Sequence, residues 1–178
     1  MRNKRLENLA GAWALAAADA LRAAAERAAE QPAAAPAALT TLLAYPGSSI
    51  DRLRKALGLT HSGGVRLVDR LQAAGLVRRT TAGDGRVAAV ELTAAGGRAA
   101  RRILERRERA LAGLLAPLDG DERRALTAIL ERLLEPLPAD RQDLERICRL
   151  CDYWTCDGSK LACPVGRGAR TRRNQARG

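Results

Sequence analysis

Cys148, Cys151, Cys156 and Cys163 are the four cysteines of this chain, and they stand together near its end as C-x2-C-x4-C-x6-C. Thiolates are soft ligands, and four of them at this spacing can surround one metal centre. A closed all-cysteine tetrahedron suits structural Zn²⁺; an iron–sulfur cluster is held by four thiolates as well. A third reading leaves the cysteines free of metal, as thiols that respond to oxidants or as small apolar groups. The i, i+3 spacing of Cys148 and Cys151 brings both sulfurs together on a helix face or in the turn at a helix end. Asp157-Gly158-Ser159 offers a turn through which Cys156 and Cys163 fold back to complete the set. Tyr153 and Trp154, two of the four aromatic residues in the chain, stand beside the cluster and are expected to cover it from water.

The elements that position these residues must be built almost without aromatics. The chain has 178 residues, no Phe, and only Trp13 and Tyr45 besides the pair just named. That length suits one globular domain with extensions, and its core must be aliphatic. The formal net charge is +11. Arg167, Arg170, Arg172, Arg173 and Arg177 supply part of it from the tail, but the body without them is still basic. Such an excess favours a polyanionic partner, because phosphates attract it and release counterions on binding. No apolar stretch is long enough to span a membrane. Arg2, Lys4 and Arg5 before the run Leu9–Ala18, with Ala18-Asp19-Ala20 after it, imitate a secretory leader. Glu7 interrupts the basic region, however, and helical patterning continues through Leu21. A cytoplasmic location is expected, where thiols stay reduced and cysteines serve as metal ligands rather than disulfides.

Periodicity predicts an alanine-rich helix over 5–30, broken by Pro32 and Pro36, then a second helix over 36–45 that stops at Pro46-Gly47. Ser49 is placed to cap a third helix over 50–58, with Ile50, Leu53 and Leu57 inward and Gly58 at its end. Thr60 caps the next, over 61–74. On it Gly64, Leu67, Val68 and Leu71 form one face; Ser62, Val65, Arg66 and Asp69 form the other. Strands over 77–81 and 86–92 flank Asp84-Gly85, a strong hairpin signal. A long helix runs from Thr93 to about Ala116. Another follows from Asp121, with an apolar stripe of Leu126, Ile129, Leu130, Leu133, Leu134 and Leu137. A short helix over 140–151 carries Leu144, Ile147, Cys148 and Cys151. The Gly- and Arg-rich end is expected to be disordered.

A helix, a short turn, an amphipathic helix and then a hairpin make a winged helix-turn-helix. The second helix of such a pair fits the major groove, and outward residues of its first turns reach base edges. Those are His61, Ser62, Val65 and Arg66. Arg66 can fork onto a guanine, Val65 can touch a thymine methyl, and Ser62 suits a phosphate or a base edge. Arg86 at the hairpin tip is placed to enter the minor groove. Arg52, Arg54, Lys55, Arg78 and Arg79 are candidate clamps on the phosphate backbone.

The stretch Leu59–Arg79, the wing Asp84-Gly-Arg86 and the run Val90-Glu-Leu-Thr-Ala-Ala-Gly96 resemble the MarR-type winged-helix transcriptional regulators. The resemblance covers about residues 5–137. It implies a mainly α fold with a small β-hairpin wing, and a homodimer joined through its N- and C-terminal helices on a palindromic operator in double-stranded DNA. It also implies that residues matching Ser62, Val65 and Arg66 lie on the recognition helix, and that Asp84 braces Arg86. The chain departs from the family at Gly63-Gly64, where a Ser/Thr-containing start is frequent. It also offers only Trp13 and Tyr45 as aromatics to line a ligand pocket.

The sequence therefore predicts a MarR-like DNA-binding and dimerisation domain over 1–137, a four-cysteine metal-binding extension over 138–164 and a basic tail over 165–178. The expected function is sequence-specific transcriptional regulation, in the first instance repression, with dimer geometry controlled by a zinc centre or, alternatively, an iron–sulfur cluster. The sequence names no small-molecule effector. Two other readings are a structural zinc-containing interaction protein and a thiol redox protein using Cys148 and Cys151. The second lacks the βαβ context such chemistry needs, and with no catalytic histidine dyad, paired carboxylates or phosphate loop the chain does not read as an enzyme.

Overall fold

The computed structural model describes residues 3–31, 34–81, 88–156 and 163–175. Helix α1 (Lys4–Ala29) starts where the Asn3 side chain accepts from the Leu6 N–H at 3.1 Å. Helix α2 (Ala35–Ala44) has Pro36 in its first turn, where a missing N–H is harmless. A two-residue strand β1 (Ser48–Ser49) leads into α3 (Ile50–Leu57). Ser49 caps α3 by accepting from Arg52 N–H at 3.2 Å, and Gly58 ends it at φ 66°, a left-handed conformation that glycine adopts without strain. Thr60 caps α4 (His61–Ala73) by accepting from Gly63 N–H at 3.1 Å.

Strands β2 (Val77–Thr81) and β3 (Ala88–Leu92) pair antiparallel, with Val77 opposite Leu92 and Arg79 opposite Val90, and β1 adds to the far edge of β3. Thr93 then ties this wing to α5 (Ala94–Leu114). Its hydroxyl donates to Gly75 O at 2.7 Å and also accepts from Gly96 N–H at 3.0 Å. Gly96 lies so close to Leu76 that a Cβ there would sit 1.9 Å from the Leu76 carbonyl oxygen. Helix α6 (Gly120–Leu134) opens on a capping box of Asp119 and Glu122. Short α7 (Arg141–Ile147) and α8 (Pro164–Gln175) follow.

The core is aliphatic, as the lack of Phe requires. Leu39, Leu42, Leu53, Val68, Leu71, Val90 and Ile103 are fully buried. Along α4 the expected division holds: Gly64, Leu67, Val68 and Leu71 are buried, Ser62, Arg66 and Asp69 are exposed, and Val65 is half-buried. Helix α1 lies along α5 through a seam dominated by alanine.

Several expectations are corrected. The tail predicted to be disordered forms α8 over Pro164–Gln175. Its anchor is a tertiary contact: Gly168 rests on the end of α6, where a Cβ would meet the Glu135 carbonyl oxygen at 1.7 Å, and Val165 is buried. Arg167 pairs with Glu135 at 3.3 Å, and Arg172 reaches the Pro136 carbonyl. The short helix expected over 140–151 ends at Ile147, leaving Cys148 at its C-terminal cap and Cys151 in the following turn. A separate finding, which corrects no expectation, is that the apolar stripe of α6 lies at the surface of the single chain: no residue of α6 is buried, and Leu133 is 59% exposed. Leu6, Leu9 and Trp13 on α1 are likewise exposed. Among the described residues no helix is long and apolar enough to cross a membrane.

Candidate DNA-reading surface and four-cysteine cavity

The first turns of α4 present Ser62 and Arg66 to solvent with Val65 half-buried between them. No acid stands in the first turn of this helix, so the positive end of its dipole is open to an anion. Arg66 makes no ion pair among the described residues. Arg70, one turn further along the same exposed stripe, extends this surface, and its i, i+4 spacing from Arg66 is the sequence signal that marks it.

The candidate clamps are less free than their composition suggests. Arg78 grips Glu91 across the strand pair at 2.8 Å, and Arg79 pairs with Asp69 at 2.5 Å. Asp51 holds both Arg54 and Lys55, and those two partners, Lys55 first, keep its carboxyl below the usual range. Exposed pairs of this kind are weak and screened by salt, so a phosphate can take the place of the carboxylate. Asp84 and Arg86 lie outside the described residues.

All four cysteines meet at one place. They line a cavity of about 60 Å³ together with Thr40 and Thr41 of α2, Tyr45 at the C-terminal cap of that helix, and Tyr153. All four are free thiols. Cys148 and Cys151 are hydrogen-bonded to each other. That bond, helped by Arg107 and Arg149 against the opposing effect of burial, lowers Cys151 to about 6. The same bond, then burial and the charge on Cys151, push Cys148 far up, so the pair holds one proton tightly and releases the other readily. Burial, followed by the neighbouring Cys151 and Cys163, raises Cys156. Among the described residues no group of three or more His, Cys, Asp or Glu side chains is arranged to hold a metal ion. The four thiols nonetheless line one cavity.

The wall of this cavity could not be read from the cysteine spacing. The sequence suggests a site beside the dimerisation helices; the cavity is walled by α2, α7 and the start of α8, and α3 is linked to it through Arg52, which reaches Glu145 and Tyr45. The Thr40 hydroxyl donates to Arg149 O at 2.7 Å. Glu145, with only 9% of its side chain exposed, pairs with Arg52 of α3 at 2.8 Å. The Arg52 guanidinium lies 4.1 Å from the centroid of the Tyr45 ring, and that ring meets Tyr153 edge-on at 5.4 Å. Burial, then Tyr153, raises the Tyr45 hydroxyl above its ordinary value. Tyr153 covers the cavity as expected. Trp154 does not: it stacks edge-on against Tyr153 and is 70% exposed.

Comparison with known proteins agrees with this geometry. Residues 32–87, which span α2 to the wing, match the MarR family model. No curated protein matches the chain. Among solved structures, a MarR family protein from Bacillus stearothermophilus is 25% identical, covering 75% of this chain and 95% of its own with a TM-score of 0.64. A MarR family transcriptional regulator from Silicibacter pomeroyi is 28% identical over 75% of this chain and 90% of its own, with a TM-score of 0.57. The PcaV transcriptional regulator from Streptomyces coelicolor is 27% identical over 71% and 93%, with a TM-score of 0.56. Residues 32–87 thus match a MarR family domain, and the chain shares the winged-helix fold of the MarR-type structures it resembles.

Proposed function

We propose that this protein is a transcriptional regulator, acting as a repressor, that binds a palindromic operator as a homodimer. The observation that carries this reading is α4: a capped helix with no acid in its first turn, Ser62 and Arg66 exposed, and its opposite face buried in the core. The exposed apolar faces of α1 and α6 support the homodimer, since the large side chains of Trp13, Ile129 and Leu133 are 43%, 51% and 59% exposed among the described residues. A two-fold dimer reads half-sites about 34–36 Å apart. The four-cysteine cavity is the control point, holding a thiophilic metal, zinc in the first place and an iron–sulfur cluster as the alternative.

The test begins with selection of duplexes from a random pool by the purified chain, followed by fluorescence anisotropy. A palindrome should emerge, and Arg66→Ala should weaken it by about 1–3 kcal/mol. Recovery of duplexes with no common sequence, or an Arg66→Ala variant that binds the selected duplex as tightly as the parent, would refute the assignment.

A further inference from the structure

We propose that Cys148, Cys151, Cys156 and Cys163 together bind one zinc ion as thiolates, and that its occupancy is passed to the DNA-reading helices through the Glu145–Arg52 ion pair. This inference rests on the DNA-binding reading above and names the regulation of that surface. Four thiols drawn from a helix cap, a turn and the residue before α8 face one small cavity. Thiols are weak hydrogen-bonding groups, so such convergence brings the metal-free chain little stability. With Zn²⁺ present, each thiol loses its proton to solvent and each sulfur bonds the ion at about 2.3 Å. The closed centre carries roughly two negative charges. Arg107 and Arg149 are already close enough to act on Cys151, and they offset that charge.

The route out of the site follows from what its wall touches. Cys148 caps α7, and Glu145 lies on α7 one turn before it. The nearly buried Glu145 carboxylate reaches Arg52 on α3, and Arg52 in turn rests on Tyr45, which lines the cavity. Helix α3 is the first helix of the DNA-reading pair and packs directly on α4. Closing four sulfurs on an ion fixes α7, and with it the carboxylate that holds α3 in place under α4. The dimer faces of α1 and α6 do not take part.

The experiment uses the full chain, purified without oxygen, and its selected operator duplex. Wild type should hold one zinc per chain, measured by elemental analysis, and Cys151→Ser/Cys156→Ser should hold none. Removing zinc with a chelator should weaken operator binding roughly tenfold, with the dimer mass unchanged in sedimentation. Glu145→Gln should keep its zinc and its dimer, yet bind as weakly as the zinc-free protein and lose most of its response to the chelator. Removal of a negative charge on its own would strengthen DNA binding, so the expected loss runs against simple electrostatics.

Absence of bound metal, or iron and sulfide in place of zinc, overturns the zinc assignment. A Glu145→Gln variant that responds to the chelator as wild type does overturns the route, as does dissociation of the dimer when zinc leaves. A chain that binds zinc but selects no duplex refutes the DNA-binding reading and leaves the metal site standing.

Discussion

Gly64→Ala sets two physical effects against each other. Glycine inside a helix costs about 1 kcal/mol relative to alanine, so propensity alone makes the substitution stabilising. The packing says the reverse. A Cβ at position 64 would lie 2.9 Å from Arg54 Cβ and 3.5 Å from Ile50 Cγ2. Carbon atoms prefer about 3.5–4.0 Å, and Arg54 Cβ is fixed to its backbone, so α3 and α4 must move apart. Overpacking of this kind costs about 1–3 kcal/mol. The balance is a net loss of roughly 1 kcal/mol. In urea at one fixed protein concentration, the unfolding midpoint should fall by about 0.5 M with the slope unchanged. Operator affinity should fall as well, because Arg66 is carried on the displaced helix. At the neighbouring Gly63 a Cβ would meet only side-chain atoms, the Thr60 hydroxyl at 3.1 Å and Leu59 Cβ at 3.6 Å, so Gly63→Ala keeps the helix-propensity gain less any weakening of the Thr60 cap, and its midpoint should lie above that of Gly64→Ala. A Gly64→Ala chain more stable than the parent would refute the close approach of α3 and α4.

Thr60→Ala removes the α4 cap and should destabilise the protein by about 1 kcal/mol in the same urea assay; a change near zero would mean that the cap is dispensable. Leu133→Asp places a charge on the bare α6 face and should give a monomer in sedimentation while far-ultraviolet circular dichroism stays helical; a persistent dimer would place the interface elsewhere. Gly168→Ala should detach α8 from the end of α6 and speed trypsin cleavage at Arg170 and Arg172, and an unchanged cleavage rate would show that α8 is held by other contacts. Arg79→Ala should weaken binding to all duplexes alike and reduce the salt slope by about one unit, whereas a sequence-selective loss would make Arg79 a base reader.

Local signals were legible and distant ones were not. Ser49, Gly58 and Thr60 cap or end their helices as read, because each acts within one turn of its own position. The inward face of α4 was legible because burial repeats with the helical period. The convergence of the cysteines was implicit in their spacing, but the α2 wall and the Glu145–Arg52 pair join residues far apart in sequence. Pairing also hid the true state of Arg78 and Arg79, since charge composition counts cations and not their partners. Helix α8 escaped notice because its sequence is polar and glycine-rich. What holds it is the fit of Gly168 against Glu135, a contact that exists only once α6 has folded.

The seam between α1 and α5 has a mechanical consequence. The buried residues of α1 are Ala17, Ala24, Ala25, Ala28 and Ala29, and those of α5 are Gly96, Gly97, Ala99, Ala100 and Ile103, so small side chains dominate where the two helices meet. Helices usually interlock by seating long side chains of one into grooves of the other. Methyl groups make low ridges and have no rotamers to change. One helix can therefore slide along its neighbour by small steps without unlocking, as in shear motions of packed helices. The alanine seam thus offers little steric resistance to a small shift of α5 along α1.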